Sequence, residues 1–170
     1  MEAPSAMYQL IILYMLHRAG DEIALPMVSG FLIENGYVDF ESLLRTYGEI
    51  EANGYVASRK AGEKTFLSIT AEGEQTLEMF RKDISGGVCR QVDAFLMENG
   101  RKLREDRSVT GDYYKASYGG YTAHLSVKEN KTVLVSIDLN MPTEEAARQM
   151  TRRWKEKSGE IYQYLISELL

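Results

Sequence analysis

The sequence predicts an α+β chain in two parts, and three observations carry that prediction. Over the first 83 residues, apolar side chains recur at helical spacing in four runs, with a polar, glycine-containing hairpin between the third and the fourth. Near residue 109 the apolar period changes to two, the period of strands with one buried face. Between them lies the charged stretch Arg101–Arg107, which reads as a linker. The expected organisation is a first domain over 1–83, a connecting helix and linker over 84–103, and a three-stranded antiparallel sheet packed by a long C-terminal helix over 104–170.

The first helix is expected from Ala6 to Ala19. Met7, Leu10, Ile11, Tyr14 and Met15 form one face, and Ile12, Leu13 and Leu16 widen it, as in a helix covered on several sides. A short extended piece, Ile23–Leu25, precedes Pro26, which suits the first position of a helix running to Glu34 and closed by Asn35-Gly36. Asp39 is the N-cap expected of a third helix, Phe40–Ala52. Phe40, Leu43, Leu44, Tyr47 and Ile50 are read as its inward face, and Glu41, Ser42, Arg45, Thr46 and Glu49 as its outward face. Two β-like runs, Tyr55–Arg59 and Thr65–Ile69, flank the hairpin tip Lys60–Lys64. Thr70 caps a fourth helix to about Asp83; Ser85-Gly86-Gly87 reads as a hinge before a helix over Val88–Asn99.

Strands follow near Val109–Tyr118, then Tyr121–Lys128 and Thr132–Leu139, turning at Gly119-Gly120 and Asn130-Lys131. Pro142 ends the meander, and Thr143 with Glu144 and Glu145 opens the last helix. Its stripe of Ala147, Met150, Trp154, Ile161, Leu165 and Leu169 is expected to cover the sheet, with Gly159 as a candidate kink.

Composition narrows function. The 170 residues carry a net charge of -5. Residues 1–83 hold seven bases against thirteen acids, a net of -6, and the remainder is +1. That excludes a strongly basic polyanion binder, so any nucleic-acid contact in the first half must use local clusters. The longest apolar run, Leu10–Leu16, falls short of the roughly 18 residues of a membrane span and lacks the flanks of a signal peptide, so the expected location is cytoplasmic, with no membrane partner. One cysteine and two histidines exclude an internal disulfide and leave a histidine/cysteine metal cage short of ligands, so neither metal nor cofactor is expected. Asn130-Lys131-Thr132 matches a glycosylation sequon but reads better as a turn.

Three helices followed by a glycine-tipped hairpin is the order of a winged helix-turn-helix, with the third helix as reader and the hairpin as wing. Ile50-Glu51-Ala52-Asn53-Gly54-Tyr55-Val56 resembles the end of such a reading helix, and Leu67-Ser68-Ile69-Thr70-Ala71-Glu72-Gly73-Glu74-Gln75-Thr76-Leu77 the exit from such a wing, as placed in PadR- and MarR-type regulators. Over nearly its whole length the chain resembles a Firmicute, mostly clostridial, family of winged-helix proteins described as a domain of unknown function. That resemblance rests on Phe31–Val38, Gly111–Lys115, Asn140–Thr143, Trp154-Lys155 and Tyr162–Leu165. It implies the fold and assigns no activity.

The expected function is a homodimeric DNA-binding transcription regulator. Ser42, Arg45 and Thr46 on the third helix would meet bases, and Arg59, Lys60 and Lys64 around the wing would meet phosphates. Arg45 has a competing role as an intrahelical partner of Glu41 or Glu49. The acidic first half supports an alternative, a winged helix that binds protein without DNA, and the tyrosine-rich strands leave a ligand-sensing second domain as a third reading. Cys89 reads as filler beside an apolar face, His17 as structural, and His124 as a polar-face residue with only Asp112 or Asp138 as acidic neighbours. No catalytic constellation is expected.

Overall fold

The computed structural model describes residues 4–61, 63–129 and 132–170. The chain divides into two compact units, Met1–Lys60 with Lys64–Leu103, and Arg104–Leu170 with Ala61–Glu63. The expected turn residues Gly62, Asn130 and Lys131 lie outside the described residues.

The first unit is built around α1 (Pro4–Ala19), in which Leu10–Leu16 are all buried. Only a helix packed on every side can hide seven consecutive side chains. β1 is two residues, Ile23–Ala24, and α2 (Leu25–Glu34) follows directly with Pro26 in its first turn, where the missing N–H costs nothing. α3 spans Phe40–Ala52, and Asp39 caps it by accepting from the Ser42 amide at 2.8 Å. β2 (Val56–Ala61) and β3 (Lys64–Ile69) make the hairpin, and β1 pairs antiparallel with β3 to give the order β1–β3–β2. Thr70 caps α4 (Ala71–Phe80) through the Gly73 amide, and a single 3-10 turn, Arg81–Asp83, follows. α5 (Gly86–Glu98) returns to α1. Arg18 Nε donates to Asp93 at 2.9 Å, and the Phe95 ring packs tilted against Phe31 at 5.0 Å between centroids.

Two expectations along residues 84–108 change. Ser85-Gly86-Gly87 is no open hinge: Ser85 caps α5 through the Val88 amide, and both glycines sit in its first turn. Arg101–Arg107, read as a linker, is helical. It lies within α6 (Gly100–Ser108), because a run of Arg, Lys, Leu and Glu without glycine or proline in its interior favours helix whatever its charge.

The second unit is a meander with one helix. β4 (Val109–Lys115) pairs antiparallel with β5 (Tyr121–Glu129), and β5 with β6 (Thr132–Met141). Thr143 caps α7 (Glu144–Leu169), a helix uninterrupted at Gly159. Its core is Ala123, Leu125, Ala147 and Trp154, with Val109, Tyr113, Val135 and Ile137 packed around it. The Trp154 indole N–H, which must find a partner once buried, donates to the Ser126 carbonyl at 3.1 Å. The stripe expected to cover the sheet does so only as far as Ser158. Ile161 is exposed, Leu165 half-buried and Leu169 80 % exposed.

Candidate nucleic-acid interface

The candidate interface is the outward side of α3 with the β2–β3 hairpin. The boundaries of α3 match the sequence reading, but its rotation does not. Leu43, Thr46 and Ile50 are buried with Tyr47 beside them, whereas Phe40 is 66 % and Leu44 56 % exposed. Thr46, expected to face outward, therefore points into the core. Its hydroxyl donates to the Ser42 carbonyl at 2.8 Å, so the helix itself satisfies the buried oxygen and no base can reach it.

Ser42 is half-buried, its amide engaged by Asp39. That amide holds the Asp39 carboxyl below the usual carboxylate range, with the Ser42 hydroxyl and Arg45 acting in the same direction. Arg45 stands out in solvent with its guanidinium 3.5 Å from Glu41, one turn away, a loose pair that water screens. Glu49 does not face solvent freely: it accepts from Gln9 at 2.8 Å and from the Ser5 hydroxyl on α1. Glu51 accepts from Ser58 of β2 at 2.9 Å, which ties the end of α3 to the hairpin. Tyr47 anchors α3 to α2 through Ser29 at 3.0 Å, and burial pushes its phenol up to about 12.

The hairpin residues differ among themselves. Arg59 is already occupied. Its Nη2 and Nε lie 2.5 and 3.1 Å from the two Glu22 oxygens, and the guanidinium covers Phe66 at 4.8 Å. Lys60 is exposed, and Lys64 is half-buried in β3. Both belong to strands rather than to a loop, since β2 and β3 run closer to the tip than the sequence suggested. Sequence reasoning missed the Glu22–Arg59 pair because the partners are 37 positions apart. It missed the exposure of Phe40 and Leu44 because both are apolar; the spacing 43, 46, 47, 50 was the available signal.

Elsewhere, His17 Nδ1 lies 2.7 Å from Glu74, and Cys89 is half-buried in α5. On the second sheet's polar face, Asp112, His124 and Asp138 stand opposite one another across three strands, with His124 Nδ1 2.5 Å from Asp138. The neighbouring Ser126 hydroxyl is shared with Thr110 at 2.7 Å. Among the described residues, no group of three or more His, Cys, Asp or Glu side chains could hold a metal ion.

The chain is thus an α+β protein that joins a helical unit carrying a β-hairpin to a three-stranded antiparallel sheet backed by one long helix. Residues 8–169 match the family described as Domain of unknown function (DUF4364), and the chain belongs to that family. No curated protein and no solved structure matches it. Among the described residues, no helix is long and apolar enough to cross a membrane.

Proposed function

We propose that this protein is a homodimeric DNA-binding transcription regulator whose first unit is a winged helix-turn-helix of the PadR and MarR type. The observation that supports it best is the order α1–β1–α2–α3–β2–β3 with β1 on the outer side of β3. In that arrangement the N-terminal half of α3 enters the major groove and the β2–β3 hairpin lies along a phosphate strand. Arg45 is the long basic side chain on the outward side of α3, suited to guanine O6 and N7; Phe40 and Leu44 beside it offer apolar contact to a thymine methyl. Lys60, with Lys64, supplies the phosphate contacts. Arg59 shapes the hairpin through Glu22 and reaches phosphate only by giving up that pair. Such a regulator works in the cytoplasm, and catalysis has no part in this reading.

The experiment is a DNA titration over a range of salt with two variants. Arg45→Ala is expected to cost about 1–3 kcal/mol on a preferred site and to relax preference at one base pair. Lys60→Ala with Lys64→Ala is expected to weaken binding to all sequences alike, and to reduce the slope of log affinity against log salt by about 0.9 per lost contact. An unchanged slope removes the hairpin from the interface.

One observation favours a second reading, a winged helix that docks protein. Phe40 and Leu44 are large, apolar and exposed on the face that would read DNA, in a region whose charge is acidic. Phe40→Ser with Leu44→Ser separates the two: it changes base preference in a reader, and abolishes partner binding in a docking module that ignores DNA at every salt concentration.

A further inference from the structure

In the order β4–β5–β6 the last strand is outermost, so among the described residues one side of its backbone has no strand partner. Such an edge is a template for another chain, and folded proteins blunt it with lysines, prolines, bulges or a covering element. The two edges of this sheet are treated differently. β4 is buried or half-buried from Val109 to Tyr113, and at Gly111 it comes close to Thr151 of α7. β6 runs ten residues with neither proline nor lysine, and its register shift lies near its start, opposite Val127 and Lys128. Val133 is 50 % exposed, and Leu134 and Leu139 are 38 % exposed each. α7 lies mainly over β4 and β5, which leaves the helix-side row of β6 partly uncovered. The strand's one charge, Asp138, is drawn away from the edge towards His124 of β5.

We propose that β6 is a homodimer interface, pairing antiparallel with β6 of a second copy to make one six-stranded sheet. The occupant follows from the strand's match to itself. About a two-fold axis at Ile137, a register that keeps both α7 helices on one face sets the row Val135, Ile137 and Leu139 against the same row of the second copy, while the register shift turns Val133 to the other face. On the other face it brings Ser136 beside Asp138 of the second copy, a donor against a carboxylate, and keeps the two Asp138 side chains apart. An unrelated extended peptide would meet the backbone but not that matched row. At about 3.3 Å per residue β6 is roughly 33 Å long. A strip about 15 Å wide, the sheet's depth plus one strand spacing of uncovered face, gives roughly 500 Å² per copy. That is about 1,000 Å² in total, where specific interfaces begin. The proposal does not rest on DNA binding.

Sedimentation equilibrium of the full chain from about 1 to 100 μM tests it. The wild type is expected to dimerise with a micromolar dissociation constant. Leu134→Lys with Leu139→Lys, both exposed, is expected to raise that constant at least tenfold, while Tyr164→Lys with Leu169→Lys on the exposed end of α7 leaves it unchanged. Should the edge variant misfold, hydrogen exchange on the wild type answers the same question: β6 amides are expected to slow as concentration rises. A monomer at 100 μM, concentration-independent exchange in β6, or a dimer broken by the α7 variant and not by the edge variant would each overturn the proposal. DNA binding measured on the same samples keeps the two claims apart. A dimer that ignores DNA removes the regulator reading alone, and a monomer that binds DNA removes the dimer from both proposals and leaves DNA binding standing.

Discussion

The two units bury their cores in different ways. In the first, α1 is enclosed: Ile11–Leu16 are all at or below 3 % exposure, and α3, α4, α5 and β3 each pack against part of its circumference. In the second, one helix lies on one face of one sheet, and the core is Trp154 with a few small or aliphatic neighbours. An enclosed helix spreads its burial over many contacts. A one-sided sandwich concentrates it in the largest side chain and leaves a strand edge and a helix end uncovered. The first unit thereby needs little of the outward surface of α3 and of the hairpin for its core. The second is left with apolar surface of its own, at β6 and beyond Ser158 of α7.

The largest expected effect probes that difference. Trp154→Ala should cost about 3–5 kcal/mol, and hydrogen exchange should show the loss concentrated in β4, β5 and α7. Leu13→Ala in the enclosed helix should cost about 2–5 kcal/mol, with the loss spread over the whole first unit. A cost for Trp154→Ala below that of Leu13→Ala would break the comparison.

Each unit also has a glycine where backbone from another segment approaches closely, and these sharpen it. A Cβ on Gly73 of α4 would lie 2.1 Å from the Tyr55 carbonyl oxygen, so backbone must move. On Gly111 of β4 it would lie 3.1 Å from the Thr151 carbonyl oxygen, which a small shift relieves. Gly73→Ala should cost at least the roughly 1–3 kcal/mol of an overpacked core, and Gly111→Ala should fall at the low end of that range. Urea midpoints with unchanged slopes would measure both.

Tyr47 gives a smaller effect with a definite pH signature. Burial raises its phenol to about 12, above the usual value near 10 of the unfolded chain. A raised folded value means the folded state holds the proton more tightly. The contribution is therefore complete below about pH 10 and lost as pH climbs towards 12. Tyr47→Phe should cost about 0.5–1.5 kcal/mol at neutral pH, through the lost Ser29 bond, and should lose less stability than wild type between pH 10 and 12. Parallel pH curves for the two proteins would contradict the assignment.

Smallest of all, Phe40→Ser and Leu44→Ser should each change stability by no more than about 0.5 kcal/mol, since both are exposed. A large loss would mean that α3 is rotated as its apolar pattern first suggested.

That pattern shows how far the sequence could be read. The ends of α3 were legible because Asp39 and Asn53-Gly54 are local signals, and α7 began where Thr143 and its acids put it. The meander was legible from its period of two. The rotation of α3 was not, because the reading assumed that apolar residues face in and polar ones out. Thr46 breaks that assumption by bonding its own helix, and Phe40 and Leu44 break it from the other side. Arg101–Arg107 was read as a linker from its charge, and its helical conformation was not foreseen although most of its residue types favour helix. Of the candidate site, Arg45 and Lys60 were legible as exposed bases. The engagement of Arg59 by Glu22 and of Glu49 by Gln9 was not, because long-range pairs leave no mark on local spacing.

The central claim, that α3 and the hairpin bind DNA, is tested most directly by selecting bound sequences from a random DNA pool at low and at physiological salt. The expected result is one enriched motif, bound with a steep salt dependence, whose enrichment is relaxed at a single base pair by Arg45→Ala. Recovery of the pool unchanged at both salt concentrations, with the wild type folded, would contradict it and leave the exposed Phe40 and Leu44 as a protein-docking surface.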